Sequence, residues 1–360
     1  MTSEPLIIIY KIYIIKLTLV YIFLKGKKMN LNKNIDVLGV GNAIVDIVAS
    51  ADEQFIAKHK LIKGSMVLAE QVESEKILNS INPILKTSGG SAANTIYGLS
   101  QLGCKGAFIG KTSQDDIGEF FKKNLISSGI IFDTSYMDTD VPSGRCLILV
   151  TSDAERTMVT FLGSSKDLSE KDIDENIISR SRIVYLEGYL FDPLEAQKAF
   201  KTASNFAHKH DSLVAFTLSD SFCVERHREK MRDFISKDVN ILLCNEAEIF
   251  SLYKNNSLKY CINNLRNEVD IAAITMGKKG AIIIDKTNTH EIIALPAKVI
   301  DTTGAGDFFA AGFLAGLSKN FDLERAVKLG AACSAEIITH FGARPEIPLN
   351  RYVKKFDISI

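Results

Sequence analysis

Short apolar runs closed by glycine or a polar residue recur along this chain, and helix-length stretches separate most of them. No other feature restricts the fold as strongly. IDVLGVGN (35–42) reads as a buried strand, as do residues 107–109, VYLEGYL, LVAFTLSD, VNILLCNE and IAAITMG. Between them, helical patterns are predicted over 92–102, 194–209, 226–236, 246–253 and 258–267. Strands that alternate with helices join in parallel, because each crossover must return over a face of the sheet. The expected fold is therefore α/β: a doubly wound, mostly parallel sheet with helices on both faces.

One stretch breaks this rhythm. From 130 to 163, FDTSYM, GRCLILVT and RTMVTFL follow one another with no helix between them, and KGSMVLAEQ, around 64–70, alternates like a strand with one exposed face. These residues predict a small β lid beside the main sheet. No repeat and no Pro/Gly/Ser-rich linker divides the chain, so a single domain over 35–346 is expected.

Bulk properties narrow the function. Of the 360 residues, 46% are hydrophobic and 24% charged, which permits a large core and argues against disorder. Lys and Arg number 43, as do Asp and Glu, so no overall field draws the chain to nucleic acid or to acidic membranes. None of the six cysteines forms a C-x-x-C pair and most sit in apolar runs, as expected of reduced core residues in a cytoplasmic protein. Residues 6–24, LIIIYKIYIIKLTLVYIFL, approach the length of a membrane span, but Lys11 and Lys16 would each cost about 2.5–3.5 kcal/mol near the bilayer centre. No small-residue cleavage site follows. The expectation is that translation starts at Met29 and that 1–28 is an extension outside the fold; a membrane anchor is the rival.

DTTGAGDFFAAG (301–312) carries the strongest chemical signal. Gly304, Ala305 and Gly306 let a ligand approach the backbone, and a helix beginning there presents free N–H groups and a positive dipole end to a phosphate. Asp307, at that same point, is placed to take a proton from a hydroxyl as a phosphoryl group moves. The plain alternative is a glycine turn with Asp307 as a cap. GGSAAN (89–94) is a second close-approach turn before a helix, and Asn94 can both donate to and accept from sugar hydroxyls. GVGNAIVDI fails as a dinucleotide fingerprint because Ile44 stands where glycine or alanine is required. The segment 106–112, GAFIGKT, has three residues between its glycines where a Walker loop has four, and reads as a strand and a turn.

DTTGAGD resembles the C-terminal signature of the ribokinase-like (PfkB-type) carbohydrate and nucleoside kinases, and the likeness extends over about 35–345. It implies an ATP- and Mg²⁺-dependent kinase with Asp307 as base and the 304–306 backbone as anion hole. It places Asn42, Asp46, Gly89, Gly90 and Asn94 on the sugar hydroxyls, and Asn245 and Glu248, from NEAE, on Mg²⁺ through water. Asn245, Thr275, Gly277, Gly280, Gly304 and Gly306 would line the ATP site. Asp301 and Thr303 match part of a monovalent-cation site, with K⁺ the candidate. GNAIVDI, FIGKTSQDDIGEFF and LEGYLFD are more similar to adenosine kinases than to fructokinases or ribokinases. That likeness implies Tyr189 stacked on a purine and Arg156 near the transferred phosphate. The expected reaction is phosphorylation of the 5′-hydroxyl of adenosine to AMP. A sugar kinase of the same family, or a silent nucleotide-binding regulator, are the alternatives. Expected partners are ATP and one small molecule, with no nucleic acid, in a monomer or homodimer.

Overall fold

The computed structural model describes residues 33–153 and 155–360; the apolar segment 6–24 lies outside them. The strands in chain order are β1 (Ile35–Val40), β2 (Ile44–Ser50), β3 (Met66–Leu68), β4 (Pro83–Gly89), β5 (Gly106–Ile109), β6 (Gly144–Val150), β7 (Arg156–Phe161), β8 (Ser181–Glu187), β9 (Leu213–Thr217), β10 (Ile241–Asn245), β11 (Ile271–Thr275), β12 (Ala281–Asp285) and β13 (Thr289–Ile292). Eight of them form one sheet in the order β13-β12-β11-β10-β9-β8-β1-β5. β5 through β11 pair in parallel, and β12 and β13 add an antiparallel hairpin at one edge. Two buried apolar clusters, one centred on Val37, Phe108 and Phe313 and the other on Leu38, Phe200 and Phe216, enclose the sheet. Successive residues of β1, Val37 and Leu38, fall in different clusters, as the period of two along a strand demands.

A second sheet of five strands has the order β3-β7-β6-β2-β4. Two of its strands, β2 and β4, lie outside the ranges 64–70 and 130–163 expected for a lid. Val45 and Ile47 of β2 enter the larger core, while Ile44 joins Cys146 and Ile148 in a small cluster on the opposite face. β4 begins at Pro83, whose missing N–H costs nothing at a sheet edge. FDTSYM is not a strand. Around it only isolated bridges form, Ala107 with Ile131 and Ser113 with Met137. Lys111 pairs with Asp172 at 2.5 Å, and β5 takes up 106–109 of the segment 106–112. Among the described residues no helix is long and apolar enough to cross a membrane.

The helix Ala305–Ser318 is apolar around its whole circumference and lies buried in the core. It packs on the helix Ser91–Gln101 at Gly98, where a Cβ would fall 2.8 Å from Ala311 Cβ and 2.9 Å from the Phe308 ring. Only a residue without a side chain lets these helices approach so closely. Gly98→Val should therefore lower stability by about 1–3 kcal/mol through overpacking. Its thermal melt should shift down and its turnover should fall with it, because the same contact sets the geometry of the site; an unchanged melt would refute the packing argument.

Candidate active site

The site lies beyond the C-terminal ends of β1 and β8, where open α/β sheets leave a crevice. Gly304 is left-handed, with φ +79°, and caps the helix Ala305–Ser318 without a side-chain bond. The N–H of Ala305 returns to Thr302 O at 3.1 Å. Those of Gly306 and Asp307 find no acceptor among the described residues. A Cβ on Gly306 would meet nothing within 4 Å, so open space fronts these amides. The Asp307 carboxylate is gripped from the neighbouring helix: Ser91 Oγ donates to Oδ1 at 2.6 Å and Asn94 Nδ2 donates to Oδ2 at 3.1 Å. Thr95 Oγ1 donates to the Asp307 carbonyl at 3.1 Å. Burial pushes Asp307 up to about 6, while the Ser91 and Asn94 bonds and the charge of Arg344 pull it back.

Asn94 thus serves Asp307 with its nitrogen. Its Oδ1 is buried and has no partner among the described residues. Asp46, on β2, packs against Gly89, where a Cβ would sit 2.4 Å from the carboxylate. Burial raises Asp46 to about 6; Arg344 and Arg156 oppose that and Asp307 adds to it. Gly90 has φ +95°, and a Cβ there would fall 2.2 Å from Asn42 O, so the glycine pair lets two chain segments cross.

Asn42 does not face the opening as the sequence led us to expect. It is 4% exposed, donates to Glu187 Oε1 at 2.7 Å and accepts from Ser165 Oγ at 3.1 Å, which uses its amide on the protein itself. Its partner Glu187 escaped sequence reasoning. This carboxylate ends β8, is 1% exposed and also accepts from Ala92 N at 2.9 Å. Burial raises it to about 7. Its one sequence signal was a charge closing an apolar run. Tyr189, in the turn Gly188–Phe191, is 40% exposed. Its phenol is pushed up, by desolvation first and then by the charges of Asp220, Asp307, Glu187 and Glu248.

The second missed residue is Arg344. Its Nη2 donates to the carbonyl oxygen of Ser88 and, at 2.7 Å, to Ser88 Oγ, and its guanidinium lies 3.9 Å from the Tyr97 ring centre. No motif marked it, because only folding carries the chain's last segment to the glycine pair.

On the nucleotide side, Asn245 and Glu248 cap the helix Glu246–Tyr253 reciprocally: Glu248 N donates to Asn245 Oδ1 at 2.9 Å and Asn245 N donates to Glu248 Oε2 at 2.9 Å. Glu248 is raised to about 7 by burial, with Asp220 adding to it. Among the described residues no group of three or more His, Cys, Asp or Glu side chains converges as a metal cage. Mg²⁺ needs only one or two protein oxygens beside water and phosphate; both Glu248 oxygens already accept from Asn245, Oε2 from its N and Oε1 from its Nδ2 at 2.7 Å, so a metal role for this pair runs through water. Thr275 ends β11 and Gly277 is left-handed with open space around its Cα. Gly280 answers a structural demand, since a Cβ would lie 1.9 Å from Ile292 O.

The monovalent-cation expectation fits poorly. Asp301 Oδ1 accepts from Thr303 N and Oγ1 at 2.9 and 2.7 Å; Oδ2 accepts from Gly342 N at 2.9 Å and lies 3.1 Å from Arg156 Nη1. Arg156 reaches this point from β7 and covers the Phe341 ring at 4.9 Å, so a guanidinium already balances Asp301.

Residues 64–350 match the pfkB family carbohydrate kinases. The chain belongs to that family. A probable sugar kinase from Rhizobium etli CFN 42 is 35% identical over 91% of this chain and 100% of its own, with a TM-score of 0.83. The adenosine kinase from Sinorhizobium meliloti is 36% identical over 90% of this chain and 99% of its own, with a TM-score of 0.82. A 5-dehydro-2-deoxygluconokinase of Geobacillus kaustophilus is 24% identical over 90% of this chain and 94% of its own. This member of the pfkB family is a carbohydrate-kinase-type phosphotransferase with an alcohol group as acceptor.

The buried acids make pH a readout of the site. A carboxyl whose folded pKa is raised binds more protons folded than unfolded, so stability falls as pH rises through that interval. For Glu187 the interval runs from 4.5 to about 7. The melting temperature should drop between pH 5 and pH 7.5, and Glu187→Gln should shrink that drop; an undiminished drop would show that Glu187 titrates normally.

Proposed function

We propose that this kinase transfers the γ-phosphoryl group of ATP to the 5′-hydroxyl of adenosine, in the cytoplasm and in purine salvage. The observation that carries the reading is the Asp307 carboxylate at a helix start whose Gly306 and Asp307 amides face open space. Asp307 accepts the hydroxyl proton as the oxygen attacks. The backbone of Gly304, Ala305 and Gly306 stabilises charge on the transferring group. Asp46 and the free Oδ1 of Asn94 hold the ribose hydroxyls, and Gly89 and Gly90 shape the wall behind them. Asn42 contributes through Glu187 and not by touching substrate. Tyr189 offers its exposed ring to the purine. Asn245 and Glu248 orient water around Mg²⁺, which supplies charge to the phosphates when bound; Thr275, Gly277 and Gly280 form the wall of the ATP site. The second sheet, which carries Asp46 and Arg156, acts as a lid that excludes water.

The 36% identity to an adenosine kinase supports the nucleoside. One observation favours a second reading, an acidic sugar: among the described residues Arg156 Nε and Arg344 Nη1 are buried without hydrogen-bond acceptors, and a substrate carboxylate would satisfy them. An ATP-dependent phosphorylation screen over adenosine, other nucleosides, ribose, fructose and 5-dehydro-2-deoxygluconate separates the two. Adenosine should show the highest kcat/KM; a sugar or sugar acid above it would overturn the nucleoside reading. Asp307→Asn should lower kcat by about 10²–10⁴-fold with the best substrate. In the parent, kcat/KM should fall as pH drops through about 6, because the base is then protonated.

A further inference from the structure

Asp301 stands in the turn that leads through Gly304 into the helix Ala305–Ser318. An ionised carboxylate has about four acceptor positions, two on each oxygen. Four donor groups converge on this one. Thr303 N and Thr303 Oγ1 donate to Oδ1 at 2.9 and 2.7 Å. Gly342 N donates to Oδ2 at 2.9 Å, and Arg156 Nη1 lies 3.1 Å from that same oxygen. The first three groups are neutral, and Arg156 brings the positive charge. Both partners of the ion pair are largely withdrawn from water, at 13% exposure for Arg156 and 12% for Asp301. A carboxylate so placed has its acceptor positions taken. A monovalent cation beside it would also meet a guanidinium of its own sign.

The segment that closes over the turn fits the same arrangement. Ile300 N donates to Ile338 O at 2.8 Å. Three successive residues then make three different contacts. The Phe341 ring lies 4.9 Å from the Arg156 guanidinium, Gly342 N reaches Asp301, and Ala343 packs on Gly304, where a Cβ would fall 2.9 Å from its own. Arg156 is the first residue of β7, so its charge comes from the second sheet. Asp301 and Gly304 lead into a helix buried in the larger core.

We propose that Arg156 is a positioning residue for phosphoryl transfer: it supplies, from the second sheet, the charge that a monovalent cation would bring beside Asp301, so that the turn 301–304 is set without K⁺. This rests on the reading of the 304–306 backbone as the anion hole. Such a hole works through donors already in place, which need no rearrangement as charge develops. A guanidinium suits the position, being planar, always charged and more weakly hydrated than an ammonium. Because Arg156 belongs to β7, its charge reaches the turn only with the second sheet in place.

The test has two parts. The parent's melting temperature, with and without MgATP, and its kcat/KM with the best acceptor are measured in KCl, NaCl and choline chloride at one ionic strength. A cation held specifically by the folded protein raises the melt. The three salts should give the same melt and the same turnover; a rise peculiar to K⁺ in either overturns the proposal. The second part compares kcat for Arg156→Met, Asp301→Asn and the double variant, each checked for folding by circular dichroism. The double variant should be no slower than the slower single one, a coupling of about ten-fold. Arg156→Lys, which keeps the charge, should retain more of kcat than Arg156→Met, with KM for ATP near the parental value. An arginine that only braced the second sheet would act independently of Asp301, so losses that multiply in a folded double variant also overturn the proposal. If a variant does not fold, the salt series on the parent decides alone. Near-parental turnover in Asp307→Asn would instead remove the reading of the base and its anion hole, while the parent's melts in the three salts would still report on Asp301 and Arg156.

Discussion

The close contact of two helices at Gly98 is the constraint on which the site depends. Because nothing separates the helix Ser91–Gln101 from the helix Ala305–Ser318 there, Ser91 and Asn94 come within hydrogen-bond distance of Asp307. A carboxylate at a helix start is ordinarily a cap facing solvent. Here it is anchored from a second helix, with its own helix's first amides left open beside it. A common capping position becomes a candidate catalytic one through packing alone.

Around that contact the protein assembles an unfavourable group of charges. Asp46, Asp307, Glu187 and Glu248 are all raised by burial, to between about 6 and about 7. Each would be easier to accommodate at the surface. Such perturbed acids concentrate where chemistry is done, because a base must be poised near the working pH. Two arginines temper the group without dissolving it: Arg156 reaches in from the second sheet and pairs with Asp301, and Arg344 arrives from the C-terminal loop. Among the described residues Arg156 Nε and Arg344 Nη1 are buried and meet no hydrogen-bond acceptor.

Much of the fold was legible because each strand of the larger sheet is a short apolar run and each helix between them repeats its apolar face. The second sheet was legible only in part. β2 alternates between two environments within seven residues and follows β1 after three, so its run merged with that of its neighbour. FDTSYM looked like a strand and is not: beside it and at its end only the isolated bridges of Ile131 and Met137 form. Glycine-rich motifs located the left-handed helix start at Gly304 and the crossing at Gly89 and Gly90, where the backbone itself carries the requirement.

The sequence by itself determined the α/β class, the family signature at 301–307 and the positions of its glycines, because strand period, helix period and positive φ are local properties. Tertiary structure alone decided which polar atoms remained available. It spent Asn42 on Glu187, divided Asn94 between Asp307 and an open acceptor, matched Asp301 with Arg156, and carried Arg344 more than two hundred residues back to Ser88. A side chain's partners are set by whatever packing brings within about 3 Å, and that distance is not written in residue spacing.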